Sequence, residues 1–211
     1  MNLLFWSISS TYGWFYLYKF LKSIFNNKNL EYISRIYSNL HAVFIIYGSL
    51  LHLKYGGNII DKFSSITCGY AVFDIFRALK KKEYDYIVHH SLIIISNIPF
   101  ILEQYNFIVL PFFYRQFISL NYLSEISTIF LNICWLLLKN NKKNTFLFKS
   151  NAILTLICFF IFRILNFTYI LANLYNYNYL FTLQLVLTSL NYHWFYKLVK
   201  KYFEINVNRN I

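Results

Sequence analysis

Residues 147–172 read LFKSNAILTLICFFIFRILNFTYILA. No charged side chain occurs between Ser150 and Phe162, and as a helix the stretch reaches about 39 Å, enough to span the ~30 Å hydrocarbon core of a bilayer. Comparable apolar runs occupy 3–21, 34–53, 63–79, 86–104, 106–138 and 178–196, each bounded by charge, by Asn clusters or by Gly56-Gly57. The expectation is an all-α, polytopic integral membrane helix bundle with about seven transmembrane helices. Lys19 and Lys22 follow the first run instead of preceding it, so it reads as a retained anchor and not as a cleaved signal peptide.

Composition agrees with a lipid solvent. Of 211 residues 58% are hydrophobic and only 13% charged, about half the charge of a soluble domain. Phe (23) and Tyr (20) together outnumber all charged residues, which excludes disorder. The net charge of +12 sits between apolar runs rather than along one polar face, so nucleic acid is not an expected partner. Cys68, Cys134 and Cys158 lie singly in apolar stretches without metal-ligand spacing, and no metal or cofactor is expected from them.

The basic residues test the division into crossings. Lys19, Lys22, Lys28 and Arg35 form one group; Arg77, Lys80, Lys81 and Lys82 a second; Lys139, Lys142, Lys143 and Lys149 a third; Lys197, Lys200, Lys201 and Arg209 a fourth. The ends at 1–2, 103–106 and 173–178 carry no Lys or Arg. Basic and neutral ends alternate as the positive-inside rule requires, predicting a lumenal N-terminus and a cytosolic C-terminus. The run 106–138 is too long for one straight crossing, and its ends differ in charge, so it reads as one crossing plus a bent, interfacial or re-entrant piece near Pro111.

Polar residues recur at helical spacing in every run but the first: Ser34, Ser38 and His41; Thr67, Tyr70, Asp74 and Arg77; His90 and Asn97; Asn121, Glu125, Thr128 and Asn132; Asn151, Thr155 and Asn166; Gln184, Thr188 and Asn191. Six such stripes are expected to close as a ring around one polar or lipid cavity, with the first helix peripheral. Ser, Thr and Asn also serve as helix-to-helix hydrogen-bonding groups, whereas burying Asp74, Glu125 or Arg163 costs at least ~2.5 kcal/mol each. Arg77 is near enough to a helix end to snorkel. His89 and His90 point about 100° apart on a helix, so one imidazole can face a cavity while the other turns to a neighbour such as Asp85. A histidine in a dry pocket can act as general base or nucleophile.

Five stretches carry a resemblance to a family: EYISRIYSNLHA (31–42), ITCGYAVFDI (66–75), the pair His89-His90, YLSEISTIFLNICW (122–135) and LNYHWFYKLVKK (190–201). In this order they resemble a TLC domain, the family shared by translocating-chain-associating membrane protein, the longevity-assurance ceramide synthases and a ceroid-lipofuscinosis protein, and most of all its small TLC domain-containing transmembrane members. The resemblance covers 31–203, leaving an N-terminal helix and basic loop at 1–30 and a short tail at 204–211. It implies the six-helix ring, a location in the endoplasmic reticulum or related membranes, and a site with His89, His90, Asp74 and Glu125 as catalytic candidates. Arg35, His41, Tyr70, Thr128 and Asn191 would line the lipid cavity. In ceramide synthases the site transfers a fatty acyl group from acyl-CoA to a long-chain base, and a later His-Asp and second Asp accompany the histidine pair. Here Ser124-Glu125 and Thr128 stand in their place. The expected function is therefore handling of membrane lipids and influence on membrane lipid composition, with an acyl-CoA-dependent N-acyltransferase as the second reading.

Overall fold

The computed structural model describes residues 2–25, 30–111 and 113–207, and every regular element among them is helical. Lys28 and Arg209, counted above in the basic groups, lie outside the described residues. The chain forms two compact units, Met1–Tyr122 and Leu123–Ile211. Four helical stretches among the described residues are long and apolar enough to cross a membrane: Leu30–Tyr55, Tyr84–Gln104, Tyr114–Lys139 and Phe146–Asn173.

The first unit holds α1 (Leu3–Ile24), α2 (Leu30–Tyr55), α3 (Ile59–Lys81), α4 (Tyr84–Gln104) and α5 (Tyr114–Tyr122). Asn2 caps α1, its side-chain oxygen accepting from Phe5 N at 3.0 Å. Gly56 and Gly57 join α2 to α3 with φ of 70° and 69°, a left-handed turn that favours glycine. At the other end of α3, Lys82 adopts φ 58° and Glu83 N reaches back to Ala78 O at 3.0 Å, a Schellman stop. The helix α3 begins earlier than its apolar run of 63–79: Asp61, outside that run, is buried in its first turn. There Arg115 Nε and Nη2 each donate to an Asp61 carboxylate oxygen at 2.9 Å, and Arg115 also pairs with Glu103. Glu103 Oε1 accepts from Leu110 N at 3.1 Å, so these charges pin the irregular piece around Pro111 that the long apolar run predicted.

The helix α1 also differs from expectation. Ser7, Ser10 and Thr11 form a small polar stripe, and Ser10 Oγ donates to Ile66 O of α3 at 2.8 Å. This closeness requires Gly69: a Cβ there would lie 2.5 Å from Ser7 O and 2.7 Å from Thr11 N, both backbone atoms. Below it Trp14, Leu17, Tyr18 and Leu21 pack against buried Ile33, Tyr37, Tyr70 and Phe73. Between α2 and α3 the Phe63 ring takes the space a Cβ on Gly48 would need.

The second unit holds α6 (Glu125–Lys139), then α7 (Phe146–Phe159), a π-helical turn (Phe160–Leu165) and α8 (Asn166–Asn173) in one continuous rod, and α9 (Asn178–Val207). Thr145 caps α7 by accepting from Phe148 N at 3.2 Å. Cys134, Leu137, Phe148 and Ala152 form a buried cluster with Tyr202 of α9 packed on it. Large apolar side chains face outward in both units, among them Phe5, Tyr12, Tyr16, Phe20, Ile153, Ile157 and Ile161, the inverse of a soluble surface.

Gly69→Ala is expected to destabilise the protein by about 1–3 kcal/mol, because backbone blocks the added methyl. Gly13→Ala, with no atom within 4 Å of the new Cβ, should be neutral or stabilising by up to ~1 kcal/mol. Thermal unfolding of the two variants in one detergent checks the difference; equal midpoints would remove the close contact.

Candidate functional site

The centre of the first unit is Asp74, buried on α3. Its Oδ2 lies 2.8 Å from His90 Nε2 on α4. Its Oδ1 accepts from Tyr37 Oη on α2 at 3.1 Å and from Arg77 Nε at 2.6 Å, while Arg77 Nη2 donates to Oδ2 at 3.0 Å. One carboxylate thus ties three helices together, and a lone buried carboxylate would be far too costly to persist without such partners. Arg77 does not snorkel: besides holding Asp74 in a fork, it donates from Nη1 to Glu83 Oε2 at 2.7 Å. The pair occurs at i, i+3, the spacing that brings side chains together on one helix face.

An ionised carboxylate only accepts, so His90 donates from Nε2; in a neutral ring the lone pair then sits on Nδ1. His90 Nδ1 is buried with no hydrogen-bond partner among the described residues. The buried His89 ring lies beside it, centroids 5.3 Å apart. Tyr70 meets the His90 ring edge-on at 5.8 Å and stacks on His41 at 3.8 Å, and His41 Nε2 lies 3.2 Å from Thr67 Oγ1. Trp14 of α1 closes this group, edge-on to both His41 and Tyr70. The same indole forms one wall of an open groove of about 490 Å³ lined also by Trp6, Gly13, Leu17, Leu40 and Phe44. The groove is apolar at its walls and meets the polar centre through Trp14.

In the second unit the organising group is Arg163, buried in the π-helical turn. Its Nε donates to Ser127 Oγ at 2.8 Å, Nη2 to Thr128 Oγ1 at 2.8 Å and Nη1 to Asn191 Oδ1 at 3.0 Å. Glu125 Oε1 lies 3.7 Å from Nη2, and the Phe159 ring centroid is 5.0 Å from the guanidinium carbon. The wider turn carries the arginine where a regular helix would have closed; such turns often mark functional positions.

Of the sequence candidates, Asp74, His90, Tyr70, His41 and His89 share the first unit's interior, with Arg35 half-buried on α2. Glu125, Thr128 and Asn191 gather around Arg163 in the second. Sequence reasoning missed Tyr37, whose spacing to Ser34 and His41 was an available signal, and the bond from Arg77 to Asp74. It also missed Trp14, which no polar pattern could have found. Among the described residues no group of three or more His, Cys, Asp or Glu is placed to hold a metal. Compared with known proteins, the chain matches no family model, no curated protein and no solved structure.

Asp74→Asn should lower stability by about 3 kcal/mol or more, since it leaves Arg77 without its buried counter-charge and His90 Nε2 without its carboxylate acceptor. Glu83→Gln, at the more exposed end of the network, should cost under ~1 kcal/mol. Denaturation of both variants in detergent reads the contrast, and comparable losses would mean that Asp74 is not the anchor.

Proposed function

We propose that this chain is a multi-pass membrane protein that binds and handles lipids, influencing membrane lipid composition from the polar centre around Asp74 and His90. The observation that carries the reading is the apolar groove on α1 and α2, which shares Trp14 with that centre. An acyl chain suits the groove's walls, and the buried polar group behind Trp14 suits the head of the same molecule. The resemblance to TLC domains supports the same reading and implies a six-helix ring in a membrane of the endoplasmic reticulum type, while the apolar runs and the alternation of basic ends support seven crossings and a cytosolic C-terminus. Each unit contributes one polar centre of its own.

One observation favours acyl transfer as the second reading: the Asp74–His90 pair leaves Nδ1 buried, with its lone pair uncommitted among the described residues. In that reaction the nitrogen attacks the thioester carbonyl of acyl-CoA, the CoA thiolate leaves, and an amine takes the acyl group from the imidazole while its proton goes to the thiolate. Asp74 holds the ring and offsets its positive charge. Glu125 approaches Arg163 in the second unit, and Asp74 is the carboxylate that meets His90 in the first.

Purification in mild detergent followed by mass spectrometry of the bound lipid tests the proposal, with an assay of acyl-CoA plus a long-chain base separating its two forms. Gly13 lines the groove and a Cβ there meets no atom within 4 Å, so Gly13→Leu directs a larger side chain into the groove. It should reduce recovered lipid about tenfold, equivalent to roughly 1.4 kcal/mol of lost apolar contact. Unchanged recovery from a well-folded Gly13→Leu protein would exclude the groove as the lipid site.

A further inference from the structure

The second unit collects its cations at one end. The buried cluster of Cys134, Leu137, Phe148 and Ala152, with Ile133, Leu138 and Tyr202 against it, joins the last turns of α6, the first turns of α7 and the final stretch of α9. Lys139 follows Leu138, Lys149 follows Phe148, and Lys201 precedes Tyr202; Lys197 and Lys200 lie within the preceding turns of α9. Lys142 and Lys143 occupy the α6–α7 connection, which is not loose: Lys142 N donates to Leu137 O at 2.8 Å, and Thr145 Oγ1 donates to Lys142 O at 2.7 Å. All seven lysines are exposed, and Glu204 is the one acidic side chain on these segments among the described residues. Apolar groups stand exposed among the cations: Phe146 (85%), Leu147 and Phe203.

The connection joins two stretches each long and apolar enough to cross a membrane, so this end meets the headgroup layer on the reading given above. The helix α9 is about 45 Å long, longer than the ~30 Å core, and its excess is its lysine-bearing end. Lysines carried on an ordered frame, with Phe146 and Phe203 beside them to enter the acyl boundary, match an anionic leaflet in charge and in depth. Orientation alone requires positive charge on this side; it does not require the cations of three helices to be gathered around one packed cluster.

We propose that this end of the second unit is a recognition surface for anionic phospholipid headgroups of the protein's own membrane, selecting them over zwitterionic ones. The full chain is reconstituted into nanodiscs of phosphatidylcholine with a minority of phosphatidylserine, then stripped gently, and the retained lipid is quantified. Wild type should retain phosphatidylserine enriched roughly fivefold over the bulk. The enrichment should fall toward the bulk ratio in about 0.5 M salt and should persist in millimolar inorganic phosphate, since the surface binds headgroups fixed in a leaflet. The quadruple variant K142Q/K143Q/K200Q/K201Q should retain the bulk ratio, while K142R/K143R/K200R/K201R keeps the enrichment. Equal enrichment in the Gln variant, or none in a wild-type protein that incorporates normally, would overturn the proposal. Failure to incorporate at all would instead count against the membrane reading on which it rests.

Discussion

The buried carboxylate of Asp74 is the constraint on which the first unit depends. A charge enclosed between apolar helices persists only if its partners are built with it. Tyr37, Arg77 and His90 fill that role from α2, α3 and α4. The consequences spread outward: α4 must present His90 to α3, Tyr70 must leave room for the ring, and α1 must approach closely enough for Trp14 to cover His41 and Tyr70. Gly69 makes that approach possible because a side chain there would meet α1 backbone. Arg163 plays the corresponding part in the second unit with opposite charge, collecting Ser127, Thr128 and Asn191.

Inside and outside are inverted relative to a soluble protein. The interior mixes Asp, Arg, His, Asn and Ser with apolar side chains, while many Phe, Tyr, Ile and Leu side chains face outward. Interior polarity alone is satisfied by helix-to-helix bonding, as Asn97 shows by accepting from Tyr122 Oη at 2.9 Å and donating to Ile93 O at 2.6 Å. The His90 ring differs. One nitrogen is held by Asp74 and the other is buried with no hydrogen-bond partner among the described residues, an arrangement that structure alone does not require.

Much of this was legible in the sequence. Hydrophobic run length located the helices, because a bilayer imposes one length scale on every crossing. Period-3.6 polar residues located Asp74, Tyr70 and His90 on inward faces. What stayed illegible depended on partners distant in sequence. Asp61 falls outside the apolar runs because the charge of Asp61 and Lys62 bounds the run 63–79, yet Arg115, 54 positions away, lets it be buried in a helix. Arg77 is the exception: Asp74 lies only three residues before it on the same helix face, a local signal outweighed by the nearness of Arg77 to the helix end. The contact of α1 with α3 stayed illegible because it uses small residues, Ser7, Ser10 and Thr11 against Gly69, which produce no strong periodic signal.

The central claim is that His90 acts on lipid and is not there only to pack. The direct measurement is the lipid profile of cells lacking the wild-type chain and carrying His90→Gln, read at matched protein abundance. Glutamine can still hydrogen-bond Asp74 but supplies neither a base nor a nucleophile near neutral pH. The account predicts a profile matching that of cells without the protein, with the variant present at normal level. A wild-type profile at normal abundance would contradict it and leave His90 as a hydrogen-bonding group of the helix bundle.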